Sequence, residues 1–266
     1  MKDMTELQFK VQAKGVKKHF HSQDGRVVHA IDNVTLDVGE GEFVALLGPS
    51  GCGKSTFLFM VAGFEQPSAG TLTLDGEEIR EPGPNRGIVF QEYVLFPWRT
   101  VKKNIEFGLE IKKISKAERD EKCRDLIHLV GLAGFEDAYP HTLSGGMKQR
   151  VSIARALAYD PDVLLMDEPF GALDAQTRRR MIADLVKVHE ATKKTFLFVT
   201  HSVDEAIGLA DRICLFSARP SIIKQEYKVS VPRPRNVTSD EFVQLEREIL
   251  ESLDVEVEKM MHLDRK

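Results

Sequence analysis

Phe43-Val44-Ala45-Leu46-Leu47-Gly48-Pro49-Ser50-Gly51-Cys52-Gly53-Lys54-Ser55-Thr56 is an apolar run that stops at a glycine-rich loop closed by lysine and serine. Five consecutive apolar residues suit a strand buried on both faces, as in a parallel sheet. The loop fits G-x-x-x-x-G-K-[ST]. Its glycines let backbone N–H groups turn inward and approach anionic oxygens closely. The helix predicted from Lys54 to about Ala62 aims its N-terminal dipole at the same anions. The segment therefore predicts a cradle for nucleotide phosphates, formed by Gly48, Pro49, Ser50, Gly51, Cys52, Gly53, Lys54, Ser55 and Thr56. Lys54 is expected to reach the β- and γ-phosphates and Ser55 to ligate Mg²⁺. A turn that only joins strand to helix is the plainer reading, and the full pattern in this context outweighs it. Kinases, GTPases and many ATPases share such a loop, so alone it goes no further.

Outward from the loop, strands and helices alternate. Leu7, Phe9, Val11 and Ala13 alternate with polar residues, as do Val34, Leu36 and Val38, and both patterns predict half-buried strands. TLTLDGEEI predicts a hairpin turning at Asp75-Gly76. Gly87 to Gln91 predicts a short buried strand. From Val101 to about Tyr159 the pattern turns helical: Ser115 with Glu118 forms a capping box, and a second helix starts near Ser144. Strands are predicted again at Val163–Met166 and Phe196–Val199, with a helix around Arg178–Thr192 between them. Another helix capped by Ser202 and Glu205 follows, then late strands at Arg212–Phe216 and Ile222–Val231. Pro232-Arg233-Pro234-Arg235 breaks the pattern before an amphipathic helix carrying Phe242, Leu245, Ile249 and Leu253. The whole predicts an α/β fold, a parallel core with a helical lobe inserted midway.

The chain has 266 residues, a formal charge of −4 and a pI near 6.1. That balance lacks the basic field of a nucleic-acid binder. The scattered Lys10, Lys14, Lys17, Lys18 and Arg26 read as a solvated face. Three distant cysteines, Cys52, Cys123 and Cys214, form neither a disulfide framework nor a zinc site, and suit a reducing compartment. No apolar run approaches the ~20 residues of a membrane span, and MKDMTELQFK is too polar for a signal peptide. Action at a membrane would need another chain to cross it. A thiol at a helix N-terminus beside a lysine favours thiolate. Alkylation of Cys52 is thus expected to block the site, and a small residue that merely fits is an equal alternative.

Val163-Leu164-Leu165-Met166-Asp167-Glu168 ends an apolar strand in two acids. An acid there costs desolvation unless a cation answers it. Asp167 is expected to hold Mg²⁺ and Glu168 to polarise the attacking water as general base. Leu143-Ser144-Gly145-Gly146-Met147-Lys148-Gln149-Arg150 places a serine cap and two glycines at a helix start, a second anion-receptive tip.

LSGGMKQR resembles the signature of ABC ATPases, and the order of motifs along residues 7 to 225 is similar to theirs. The resemblance implies a phosphate-loop (RecA-like) core with an N-terminal antiparallel β subdomain and an inserted α-helical subdomain. The boundaries expected are 5–230 for the ATPase domain, with core 5–91 and 160–230 and helical subdomain about 92–159, and 231–266 for a helical tail. It implies that two copies pair, so that Ser144, Gly145 and Gly146 of one contact the ATP held by the other. Gln91 matches the glutamine that senses Mg²⁺ and the attacking water. Asp174, in Ala172-Leu173-Asp174, matches the loop that crosses the dimer interface. His201 matches the histidine on the γ-phosphate. Phe20 is similar to the aromatic that stacks on adenine, although an aromatic near a strand end is also commonly core.

One cassette and no spanning segment imply a separate subunit of a transporter, peripheral at the cytoplasmic face of the inner membrane. PGPNRGIVFQEYVLFPWRTVKKNIEFGLE and the Val231-Pro232-Arg233-Pro234-Arg235 tail resemble the ATPases of nitrate, sulfonate and taurine importers. The resemblance implies uptake of a small anionic or organic solute through transmembrane permease subunits, fed by an extracytoplasmic solute-binding protein. An exporter or lipid-extraction ATPase is the alternative. Leu95, Phe96, Pro97 and Trp98 are candidates either for contact with a permease helix or for packing within the helical lobe. FLFMVAGFE after the phosphate loop departs from the leucine-rich version of relatives, which bears on packing and on the solute class.

Overall fold

The structure, a computed structural model, describes residues 9–21 and 25–264. Leu7, the first residue of the earliest predicted strand, lies outside them. In chain order the elements are β1 (Val11–His21), β2 (Val27–Val38), β3 (Phe43–Leu47), α1 (Lys54–Ala62), β4 (Ala69–Leu74) and β5 (Glu77–Glu78). Then come β6 (Arg86–Val89), α2 (Val101–Ile111), α3 (Lys116–Leu129), α4 (Gly145–Ala158), β7 (Val163–Asp167) and α5 (Ala175–Thr192). Last are β8 (Thr195–Thr200), α6 (Val203–Leu209), β9 (Arg212–Phe216), β10 (Ile223–Lys228) and α7 (Asp240–Asp264). These elements form two compact units. One holds the described residues up to Gly83 and from Thr195 onward, and the other spans Pro84–Lys194.

In the first unit β3 runs parallel to β8 on one side and β9 on the other. All five of its residues are buried, which is why the run is apolar without alternation. Phe43 stacks on Phe196 of β8 with centroids 5.0 Å apart. β10 closes the edge antiparallel to β9. A separate antiparallel sheet has the order β2-β1-β4-β5. The Asp75-Gly76 turn has φ 50° and 82°, the left-handed pair that a two-residue hairpin demands.

Helix α1 leaves the phosphate loop and buries Phe57, Leu58, Met60, Val61 and Ala62. Phe57 alone removes enough apolar surface to contribute about 1.5–3 kcal/mol. Gly63 ends the helix at φ 85°. A Cβ there would lie 2.4 Å from the Glu81 carbonyl oxygen, so conformation and space both require glycine.

The tail is tied to the same unit. Arg235 and Arg233 donate to the carbonyls of Ile207 and Leu209 at the end of α6, each at 2.5 Å. Helix α7 buries Phe242, Ile249, Leu253 and Met260, and with them Glu256. That carboxylate accepts from the Ala218 N–H at 2.9 Å, Lys224 Nζ at 2.9 Å and Lys259 Nζ at 2.7 Å.

The second unit pairs β6 and β7 in parallel and packs α2 against α3 and α4. Thr100, Ser115, Ser144 and Asp174 cap α2, α3, α4 and α5, each accepting the N–H three residues on. The predicted helix around Arg178–Thr192 thus starts earlier, at Ala175. Asn104 is fully buried and its amide binds the Phe96 N–H and the carbonyls of Phe96, Arg99 and Thr100. It fixes the loop before α2. Among the described residues no helix is long and apolar enough to cross a membrane.

Burial pushes the Glu256 carboxyl up, and Lys224, Lys259 and the Ala218 N–H outweigh it, leaving a pKa of about 2 against an ordinary 4.5. A depressed carboxylate stabilises the fold above its unfolded pKa and loses that contribution as pH falls. Glu256→Gln is therefore expected to cost about 1–3 kcal/mol near neutrality. In urea unfolding followed by circular dichroism, the gap from the unaltered protein should close between about pH 4.5 and 2. A gap independent of pH would contradict this account.

Candidate active site

The phosphate loop spans Gly48 to Ser55 between β3 and α1, in the first unit. Gly51 and Gly53 have φ 75° and 117°, which turn consecutive backbone amides inward. Gly48 is glycine for a different reason: a Cβ would sit 2.9 Å from the Phe216 carbonyl oxygen and 3.2 Å from Cys52 Sγ. Behind Gly53, Ala30 O and Ser221 Oγ lie 3.1 and 3.2 Å from where a Cβ would stand. The loop is thus closely backed by backbone and side chains, and at Gly53 the tight space adds to a φ that favours glycine.

Lys54 is only 3% exposed. Its Nζ donates to the carbonyls of Gly48 at 2.8 Å and Pro49 at 2.9 Å. A buried ammonium needs such partners, and these two carbonyls belong to the loop itself. The cation is thereby held within the ring of amides, which is a donor set suited to a polyphosphate. Ser50 and Gly51 are exposed, Ser55 and Thr56 half-buried.

Cys52 departs from expectation. It is fully buried, and burial raises its pKa despite the nearby charges of Lys54 and Arg219. Desolvation of the thiolate outweighs the cationic neighbours, so the expected reactive thiol is a buried, protonated side chain.

His201 follows β8 on an exposed turn. Thr200 Oγ1 donates to Glu205 Oε2 at 2.6 Å and accepts from the Ser202 N–H at 3.0 Å, which fixes the turn from both sides. Phe20 lies near the end of β1 and is 39% exposed, with Lys18 Nζ 4.8 Å from its ring centroid. A ring that open to solvent is not core.

The other predicted residues belong to the second unit. Asp167 ends β7, buried, and Glu168 follows in the left-handed region at φ 42°. That conformation costs a non-glycine residue about 1–2 kcal/mol and sets the direction of the side chain. The Gly171 N–H binds the Glu168 carbonyl at 3.1 Å, and Gln91 Nε2 lies 3.5 Å from where a Gly171 Cβ would stand. Gln91 is thereby brought to the turn that follows Glu168. Asp174 caps α5 through the Thr177 N–H at 2.9 Å, and Thr177 holds its carboxyl below the usual range.

Ser144 caps α4 through the Met147 N–H at 3.3 Å and is exposed. A Cβ on Gly145 would meet Tyr93 Oη at 2.9 Å and Leu173 Cδ2 at 3.3 Å, and one on Gly146 would meet Thr177 Cγ2 at 2.8 Å. Sequence reasoning passed over Tyr93, Ser152 and Arg155, which tie the segment after Gln91 to α4. The only signal for them was two polar residues within the apolar stretch of α4. Among the described residues no group of three or more histidine, cysteine or acidic side chains could hold a metal.

A strand, a glycine cradle with a buried lysine, and acids closing a second strand define a phosphate-loop ATPase cassette with an α/β fold. A family model described as "ABC transporter" matches residues 31–171. An uncharacterized ABC transporter ATP-binding protein of Methanocaldococcus jannaschii is 51% identical over 261 residues, 98% of this chain and 97% of its own. The aliphatic sulfonates import ATP-binding protein of Bacillus cereus is 44% identical over 92% of this chain and 96% of its own. The nitrate import ATP-binding protein of a Synechocystis strain is 45% identical over 86% of each chain. An ATP-binding cassette solved as a dimer in a post-hydrolysis state with ADP and Pi superposes with TM-score 0.72 at 33% identity, covering 82% of this chain and 98% of that one. The chain belongs to the ABC transporter family, and it is an ATPase.

Because Cys52 is buried and protonated, a small alkylating reagent is expected to modify it at least about tenfold more slowly in the native protein than in urea. Peptide mass spectrometry reads this directly, and equal rates would contradict the burial.

Proposed function

We propose that the protein is the ATP-hydrolysing subunit of an ABC importer, working as a homodimer that seals two ATP molecules. The observation that carries the dimer is the exposed, serine-capped tip of α4, an anion-receptive N-terminus on the same chain as the phosphate loop. A dimeric cassette among its structural relatives supports the same pairing.

In this reading Phe20 stacks on adenine, and the amides of Gly48 to Gly53 with Lys54, Ser55 and Thr56 bind the phosphates. Ser144, Gly145 and Gly146 of the second copy cover the γ-phosphate, and Asp174 borders the dimer interface. Ser55, Gln91 and Asp167 would hold Mg²⁺, which when bound offsets the negative charge of the phosphates. Glu168 accepts a proton from the attacking water, Gln91 orients that water, and His201 steadies the γ-phosphate. Binding energy from the nucleotide thus favours the closed pair, and hydrolysis releases it.

Transport follows if closing moves a permease. Trp98 is 72% exposed beside half-buried Leu95 and Phe96, an aromatic surface suited to a helix of a partner. Relatives named as sulfonate and nitrate import proteins support import of a small anionic or organic solute, delivered to the permease by a solute-binding protein. Such a subunit works at the cytoplasmic face of the membrane.

Glu168→Gln is expected to bind ATP, hydrolyse it at least about 100-fold more slowly and elute as a dimer only when ATP is present. Light scattering on the purified variant decides this, and a monomer in excess ATP would rule out the sandwich. Trp98→Ala is expected to weaken co-purification with the permease, and undiminished recovery would remove that residue from the docking surface.

A further inference from the structure

The glycine at 145 has no conformational reason to be glycine. It does not have positive φ, and a serine-capped helix accepts alanine at its first residue. What excludes a side chain is space: a Cβ would stand 2.9 Å from the hydroxyl oxygen of Tyr93 and 3.9 Å from the ring carbon that bears it. Real Cβ atoms are essentially never closer than 3.0 Å to another heavy atom. The hydroxyl is therefore the nearest obstacle, Leu173 Cδ2 follows at 3.3 Å, and the ring behind the hydroxyl is at ordinary contact distance.

Tyr93 is held where it stands. Ser152 Oγ donates to its carbonyl at 2.7 Å, and Arg155 Nη2 reaches the same oxygen at 3.3 Å. Arg155 Nη1 donates to the next carbonyl, of Val94, at 2.7 Å. Val94 has φ 45°, which a β-branched residue adopts only when its surroundings impose it. The Arg155 guanidinium also lies 5.8 Å from the Phe96 ring centroid, and Phe96 packs on Trp98 with centroids 5.7 Å apart. Ser152 and Gly145 are seven residues apart on α4, two turns along one face. The segment after Gln91 is thus bound to the middle of α4 by its backbone and abuts the tip of α4 by its one phenol.

Gln149 lies between them on that face. It is fully buried, and neither its amide nitrogen nor its amide oxygen has a hydrogen-bond partner.

We propose that Tyr93 is a positioning residue for the nucleotide-capping tip: its hydroxyl, seated against Gly145, sets the place of Ser144 and Gly146 and carries displacement of the 93–98 segment to them. The proposal rests on the reading of that tip as the surface that covers ATP in the partner copy. Gly145 is glycine because of Tyr93, and the two form one contact.

The experiment is a double-mutant cycle on the purified full chain, measuring ATP hydrolysis and, separately, binding of a fluorescent ATP analogue. Gly145→Ala is expected to lower kcat at least about tenfold, a loss consistent with a sub-ångström displacement of a reacting assembly. Affinity for the analogue, which the phosphate loop governs, should change less than about twofold. Tyr93→Phe introduced into Gly145→Ala removes the clashing oxygen and should restore kcat to within about threefold of the unaltered protein. If Gly145→Ala is equally impaired with Phe at 93, the glycine serves the nucleotide alone and the proposal is overturned. Should Gly145→Ala fail to fold, Tyr93→Trp and Tyr93→Phe decide instead. Trp crowds the tip and should lower kcat about tenfold relative to Phe with analogue affinity retained, and equal rates overturn the proposal. An unaltered protein that neither hydrolyses ATP nor pairs with it would instead overturn the function proposed above.

Discussion

A buried ammonium at the start of a buried helix has to be answered by oxygens, and the rest of the nucleotide-binding unit is arranged so that it can be. Lys54 finds them in the Gly48 and Pro49 carbonyls of its own loop. Those carbonyls are in place because the loop turns through two left-handed glycines and is pressed against the backbone of Phe216 and Ala30. The apolar run of β3 anchors one end of the loop, and the all-round apolar helix α1 anchors the other. Relaxing any one of these leaves a desolvated cation without partners, which is among the largest single penalties available to a fold. The same requirement makes the site receptive, since a polyphosphate offers the ammonium stronger acceptors than the carbonyls it uses otherwise.

What could be read directly from the sequence was local. Helix α1 was bounded correctly because its first and last residues are announced by Gly53 and Gly63. Ser115, Ser144 and Ser202 declared helix starts because capping acts across three residues. Asp75-Gly76 declared a hairpin because both residues accept the left-handed φ that its turn needs. Contacts between distant segments were not legible. Nothing near Glu256 announces that Ala218, 38 residues away, will need its carboxylate. Cys52 misled because its sequence neighbours are a lysine and a helix start, while its burial comes from how the loop packs. The contact of Tyr93 with Gly145 joins positions whose relation exists only once α4 has packed.

The signature shows how a motif can carry two kinds of information at once. Ser144 is chosen for a hydrogen bond that any capped helix would make. Gly145 and Gly146 are chosen for what they lack. Their missing Cβ atoms leave room for Tyr93 and Leu173 on one side and for Thr177, in the first turn of α5, on the other. Asp174 caps that same turn. The residues that resemblance groups as separate motifs therefore share one packed junction within the second unit, with the capping tip at its centre.

Close packing is what would let such a junction transmit movement. Protein interiors are packed as densely as organic crystals, and contacts at van der Waals distance do not compress. A tip with free space around it would absorb a small movement of the 93–98 segment, whereas this tip has no room even for a Cβ between it and a phenol on one side and a threonine methyl on the other. The displacement that reaches Ser144 then depends on how firmly the segment is bound to α4. Two carbonyls held by Ser152 and Arg155, and the strained Val94 between them, make that binding stiff. An exposed aromatic at Trp98 sits at the far end of the same segment. On the proposal above, force applied there would have a short route to the serine and glycines at the tip, and displacement of the tip by a nucleotide would have the same route back.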